Sequence, residues 1–389
     1  MPSEYILIAA DIVPTRSNEQ LFRDGDARTL IGEDLLSRFS SADFIAMNLE
    51  VPLTDAETPI RKWGASLIAP TDTVAGLKAV NPFFYTLANN HILDQGEAGL
   101  FSTWNALENI GLEWGGAGRN LREAAHPYVR DIKGLKLGVY CCAEHEFSIA
   151  SEHSAGANPY DPLESFDHVR ELKQNCDLVI VLYHGGKEHY RYPSPQLRKA
   201  FHKFADSGAD YVIAQHTHCI GCAENYHGST LVYGQGNFLF DGADNEYWQT
   251  SLLMEITIDR ESLAHSCEFI PLRKCENVVR VAETRDAEQI LEEFQARGER
   301  LKQEGFLACA YQQYAQTCLD AYMMRFAGKA TGHYFLRILN KLTGRKLWPV
   351  LWKWQYRKSR LALINYLECE AHRELILSGL KAAERKRRV

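Results

Sequence analysis

Seven short apolar runs punctuate the chain: Tyr5–Ala10, Phe44–Asn48, Phe84–Leu87, Leu137–Cys141, Leu178–Tyr183, Tyr211–Ala214 and Leu231–Tyr233. They are continuous rather than alternating. A strand that is apolar on both faces must be covered on both, so the pattern predicts an α/β protein with helices flanking its sheets. Polar residues suited to chemistry stand at or just past several of these runs: Asp11, Asn48 with Glu50, Asn89-Asn90-His91, His184, and His216 with His218. Ligands gather at the carboxyl ends of strands in open α/β sheets, so these tips are expected to meet in one crevice.

Beyond about residue 276 the texture turns to helical spacing, from Asp286 to Gly298 and again from Leu307 onward, with Pro349 interrupting the later stretch. The chain has 389 residues, more than the roughly 250–300 at which a single core stops growing. Two parts are therefore expected, a main domain over 1–282 and a helical extension over 283–389.

Charge sharpens that division. Residues 1–320 hold 27 Lys and Arg against 46 Asp and Glu, whereas residues 321–389 hold 16 against 4. The acidic main part would repel phosphates, which argues against a nucleic-acid partner. The basic extension carries the aromatic stretch from Arg345 to Lys358, with Trp348, Trp352 and Trp354. Its rings are expected to pack on the acidic domain, contact with a membrane interface or a pathway enzyme being the alternative. Met1 is followed almost at once by a strand pattern rather than a cationic lead and a long apolar segment, and no run approaches ~20 apolar residues. With ten cysteines read as reduced thiols, the expected location is cytoplasmic.

Hard and borderline divalent cations take carboxylate oxygen, amide oxygen and neutral imidazole nitrogen, the groups found at these strand ends. Gln215-His216-Thr217-His218 places two imidazoles one residue apart beyond a strand, where they can serve two adjacent ions. In Asn89-Asn90-His91, Asn90 offers a carbonyl oxygen and His91 a proton for a leaving group.

The order of motifs resembles the CapA family, capsule and poly-γ-glutamate synthesis proteins related to calcineurin-like metallophosphatases. The resemblance is carried by Ala10-Asp11 with Arg16, Asn48-Leu49-Glu50-Val51-Pro52, Ala88-Asn89-Asn90-His91-Ile92-Leu93-Asp94, His184-Gly185-Gly186-Lys187-Glu188, Gln215-His216-Thr217-His218 and Tyr233-Gly234-Gln235-Gly236-Asn237-Phe238, over roughly residues 5–275. It implies a metallophosphatase-like sandwich of two mixed sheets flanked by helices. It also implies one or two divalent ions (Mn, Zn, Fe or Mg) held by Asp11, Glu50, Asn90, His184, His216 and His218, with Glu50 bridging. His91 takes the general-acid position, and Asp11 with a histidine is the alternative proton pair. Arg16, Asn48, Glu188 and Asn237 are the candidates for lining the crevice and meeting an anionic small molecule, peptide or polymer.

Two departures from the phosphatase pattern stand out. The first motif reads Asp11-Ile12-Val13, without the usual imidazole two residues after the aspartate, and Glu50 replaces the usual bridging aspartate. His145 is a remote candidate for the missing ligand. The expected function is a metal-dependent hydrolase or acyl- or phosphoryl-transfer enzyme of capsule, exopolysaccharide or poly-γ-glutamate metabolism. A non-hydrolytic assembly factor and a metal-independent peptide epimerase are the competing readings. Cys219-Ile220-Gly221-Cys222 is read as plain buried thiols, because a lone CxxC has no partner pair. Gly115-Gly116-Ala117-Gly118 is read as a turn, since no Gly-Lys-Ser/Thr follows.

Overall fold

Each of the seven apolar runs lies on a strand, and the faces of those strands divide as the continuous pattern requires. The computed structural model describes residues 3–326 except 82, 243 and 276, then residues 334–344, and isolated positions beyond. Its strands are β1 (Ser3–Ile12), β2 (Phe44–Leu49), β3 (Phe84–Thr86), β4 (Glu113–Gly115), β5 (Ala117–Gly118), β6 (Tyr128–Ile132), β7 (Leu135–Ala143) and β8 (Gly156–Ala157). They continue as β9 (Leu178–His184), β10 (Tyr211–Gln215), β11 (Ala223–Tyr226), β12 (Ser229–Val232), β13 (Asn237–Leu239), β14 (Thr250–Asp259), β15 (His265–Cys275) and β16 (Val278–Val281).

Two mixed sheets result. The first runs β16-β15-β14-β1-β2-β3-β4, with β13 also pairing β1. Here β1 to β4 are mutually parallel and β14 to β16 antiparallel. The second runs β11-β12-β10-β9-β7-β6, parallel through β7, β9, β10 and β12 with antiparallel edges. Because strand side chains alternate between faces, Ile6 and Ile8 of β1 point into a layer shared with Leu137, Val139, Ile180, Leu182, Tyr211 and Ile213 of the other sheet. Leu7 and Ala9 point the opposite way, onto Leu30, Ile31 and Leu35 of the helix Ala27–Ser41. On the far side Val179, Val181 and Tyr183 meet Val169 and Leu172 of the helix Ser165–Lys173 and Phe201 and Phe204 of the helix Pro195–Asp206. The architecture is a sandwich of two mixed sheets with helices on both outer faces. Each such buried aliphatic or aromatic side chain contributes roughly 1.5–3 kcal/mol.

The segment after 250 departs from the expectation of seven central runs. β14 to β16 extend the first sheet as an antiparallel meander, and β15 alternates exposed and covered positions, with Glu268 and Arg273 outward. A half-exposed strand of this kind lacks the continuous apolar signature.

The chain divides into two compact units, Met1–Ala308 and Cys309–Val389. The first thus runs past residue 282, the boundary expected from texture, because the helix Thr284–Leu301 packs on its sheets. Phe294 meets Phe269 with ring centroids 4.8 Å apart, and Arg297 Nε donates to the Gly221 carbonyl at 2.6 Å. Gly298 lies so close to Ala223 that a Cβ would stand 2.6 Å from its carbonyl oxygen. The helix Phe306–Phe326 follows, and the second unit also contains the helix Tyr334–Leu342. Trp348, Trp352 and Trp354 lie outside the described residues. Among the described residues no helix is long and apolar enough to cross a membrane.

Candidate metal centre

Parallel strands place their carboxyl ends together, and the cluster forms where the two sheets present those ends side by side. From the first sheet come Asp11 at the end of β1, Glu50 just after β2 and Asn90 after β3; from the second come His184 ending β9 and His216 and His218 after β10. Asp11 and Asn48 are register partners across β1 and β2, as are Gln215 and His184 across β10 and β9. His216 and His218 both take positive φ, 86° and 51°. That conformation is uncommon for residues with a Cβ and persists where surrounding structure enforces it, often at functional sites.

Six of the residues expected as ligands converge. Ligand atoms of Glu50, His184 and His216 lie within 4.8 Å of one another, and so do those of Asp11, Glu50 and His218. Glu50 belongs to both groups. His184 Nε2 lies 3.3 Å from Glu50 Oε1 and 3.0 Å from Asn90 Oδ1, which adds Asn90 to the first group. In the second, His218 Nδ1 lies 3.6 Å from Asp11 Oδ2.

Among the described residues both oxygens of Glu50 are buried without a hydrogen-bond partner, as is His216 Nδ1. Orphaned acceptors at full burial are costly unless something absent from the protein chain satisfies them. Two carboxylates, an amide oxygen and three imidazoles form the donor set that Mn, Fe or Zn ions take, so the residues fit a divalent-metal centre. Electrostatics agree. Burial, and then the charge of Glu50, lift the Asp11 carboxyl to about 6. Burial lifts Glu50 to about 7. Burial holds His184 down to about 3 and His216 well below the ordinary imidazole value. Those two rings are therefore neutral and able to ligate.

The residues expected to line the crevice separate. Asn48 is fully buried, donating from Nδ2 to Asp11 Oδ1 at 2.8 Å and lying 3.2 Å from His184 Nδ1, and Asn89 Nδ2 in turn donates to Asn48 Oδ1 at 3.0 Å. Asn237, also buried, sets Oδ1 2.8 Å from His218 Nδ1. Both amides thus orient side chains of the cluster. Glu188 is half-exposed with Oε1 4.0 Å from His216 Nε2. Arg16 is exposed and makes no hydrogen bond or ion pair with any of these residues. His145 is exposed too and belongs to neither ligand group, while Val13 is buried where the imidazole was missed. The second group accordingly has three protein donors.

His91 stands beside the cluster with Nδ1 2.6 Å from Asp94 Oδ2, an arrangement that leaves Nε2 for other partners. Lys62 was not singled out from sequence, yet it is buried against this pair, ion-paired to Asp94 with Nζ 3.2 Å from His91 Nδ1. Glu146 Oε2 accepts from Asn90 Nδ2 at 3.3 Å. On the other flank Trp248 stacks on His218, centroids 4.9 Å apart and planes at 20°, and Phe240 meets both rings edge-on. A single lysine in a loop or a tryptophan on the four-residue helix Glu246–Gln249 gives no periodic signal, so only the fold reveals these neighbours.

Residues 6–242 match the family model of the bacterial capsule synthesis protein PGA_cap. The chain belongs to this family. It is 29% identical over 213 residues to the PGA biosynthesis protein CapA of Bacillus subtilis (strain 168), covering 52% of this chain and 54% of that protein. To the capsule biosynthesis protein CapA of Bacillus anthracis it is 28% identical over 210 residues, covering 52% and 51%. The PGA_cap chain thus spans about half the length of these relatives. A solved structure of a phosphatase from Mycoplasma pneumoniae is also similar, with a TM-score of 0.45 at 15% identity, covering 71% of this chain and 95% of that one. The family match encloses every residue of the cluster. Cys219 and Cys222, beside it, are buried free thiols, and burial lifts Cys219 to about 11 and Cys222 higher still. Neither is poised as a thiolate.

Proposed function

We propose that this PGA_cap member is a metal-dependent hydrolase, or a related acyl- or phosphoryl-transfer enzyme, acting on an anionic substrate in capsule, exopolysaccharide or poly-γ-glutamate metabolism. The observation that carries the reading is Glu50, fully buried with neither oxygen hydrogen-bonded and shared by two ligand groups. Asp11, Glu50 and His218 would hold one ion, and Glu50, Asn90, His184 and His216 the other. Bound there, such ions supply Lewis acidity and lower the proton affinity of water.

The chain's own groups account for the rest. Asn48 and Asn237 fix the rings of His184 and His218. Asp94 holds His91 by Nδ1, which directs Nε2 outward to give or take a proton at the leaving group. Glu188, half-exposed with Oε1 4.0 Å from His216 Nε2, would meet a substrate hydroxyl or amide.

Elemental analysis of the purified chain tests the first half, with His216→Ala and Glu50→Gln as controls. Retention of at least one Mn, Zn or Fe per chain, lost in both variants, supports the reading; no metal above background sinks it. Turnover of phosphoester and amide substrates, abolished in His91→Ala, tests the second half. One observation favours a non-hydrolytic assembly role instead: Val13 leaves the second ligand group with three protein donors. Full metal content with no turnover of either bond type would support that alternative.

A further inference from the structure

Beside the aromatic flank of the cluster is a cavity of about 680 Å³, lined among others by Trp248, Gln249, Asp241, Arg273 and Lys274. Trp248 is common to both: its ring stacks on His218 and also carries the Lys274 ammonium 5.7 Å from its centroid. Lys274, on β15, is only 4% exposed. A lysine buried to that degree is normally paired with a carboxylate. Among the described residues this one donates a single hydrogen bond, to the carbonyl oxygen of Phe240 at 2.6 Å. An ammonium has three donors, so two are left over.

The other charged groups on the cavity have partners. Arg273 is paired with Asp286 at 2.6 Å. Asp241 accepts from the hydroxyls of Thr15 and Ser17, and Asp244 from Gln249 Nε2 at 3.4 Å. Burial is the largest influence on Lys274 and brings its ammonium down to about 8, while Asp241 and Asp11 act only as nearby charges in the opposite direction.

From this geometry we infer a second substrate-binding element: the cavity bounded by Trp248 and Lys274 receives an oxyanion, carboxylate or phosphate, on the part of the substrate next to the reacting bond. Lys274 donates its two remaining hydrogens to that oxyanion, and the Trp248 face covers the apolar atoms beside it. Because Trp248 also lies on His218, a substrate anchored here has its neighbouring group directed toward the cluster. The inference depends on the metal-centre reading only for where the reacting bond sits; the anion site itself stands on Lys274 and the cavity.

The test is calorimetric titration of the full chain, with its metal content measured first, using inorganic phosphate, glutarate and the uncharged diamide glutaramide. Wild type is expected to bind at least one of the two anions and to bind glutaramide at least tenfold more weakly than glutarate if glutarate is the one taken. Lys274→Met should weaken the anion at least tenfold with metal content unchanged, and Lys274→Arg should retain more of the affinity than Lys274→Met. Binding of phosphate alone identifies a phosphoryl group as the anchor, and binding of glutarate alone a carboxylate. Equal affinity in wild type and Lys274→Met, no binding of either anion, or glutaramide binding as tightly as glutarate would overturn the inference. Absence of metal in the untreated chain would instead count against the hydrolase reading and leaves the comparison between wild type and Lys274→Met intact.

Discussion

At Glu50 a carboxylate with no hydrogen-bond partner is completely buried, and its proton affinity rises to about 7. The sign of the resulting stability effect follows from linkage. A group whose folded value is raised holds its proton in the folded state up to about pH 7 but loses it near 4.5 when unfolded, so metal-free stability falls as pH rises through that window. Glu50→Gln removes the conflict while keeping volume. In chelator at pH 8.5 the variant should be more stable than wild type by about 3 kcal/mol, and the difference should vanish near pH 4. Equal melting-temperature differences at both pH values would contradict this. The same protons control loading. With His184 already neutral down to about 3, an arriving cation displaces protons chiefly from Glu50 and Asp11. Calorimetry at pH 6.5 in two buffers of different ionisation enthalpy should therefore show net proton release on metal binding, and affinity should fall as pH drops through 7 to 6. Burial gives the response to acid to these carboxylates rather than to His184 and His216, because desolvation acts on whichever form is charged.

At the scale of elements, the loop that delivers Asn89, Asn90 and His91 rests on a glycine. Gly116 has φ 78°, and a Cβ there would stand 2.6 Å from Cys141 Cβ and 2.7 Å from Ala88 Cβ. Gly116→Ala should cost about 1–3 kcal/mol by overpacking and shift Ala88, with a fall in metal content read by elemental analysis; unchanged stability and metal would show that the sheet yields freely. Much of this scale was legible beforehand. The seven apolar runs announced the central strands because each is covered on both faces, and polar residues at their ends announced the side chains that converge. Two classes of element were not legible. β14 to β16 mix charge with apolar residues because one face is partly open, and two-residue strands such as β5 and β8 exist only through each other. Lys62, Trp248 and Lys274 reach the site from a loop, a four-residue helix and an outer strand, so no local spacing connects them with it. Arg16, close in sequence to Asp11, is exposed and bonds to none of the cluster residues.

For the whole molecule, the helix Thr284–Leu301 belongs to the first compact unit. A chain ending at 308 should keep a higher melting temperature than one ending at 282, since the latter uncovers Phe269 and loses the Arg297 bond to Gly221. Phe294→Ala in the full chain should cost about 3 kcal/mol, measured by urea unfolding; a loss under 1 kcal/mol would mean the helix is dispensable. The cluster itself has a consequence for how the protein comes apart. Asp11, Glu50 and Asn90 hang from one sheet, His184, His216 and His218 from the other, and Asp11 is separated from His218 by most of the first unit's length. No fragment carrying a single sheet owns a complete ligand set. An ion seated there acts as a clasp across the seam, so it should slow amide hydrogen exchange in both sheets together, by the same factor, rather than protecting one edge.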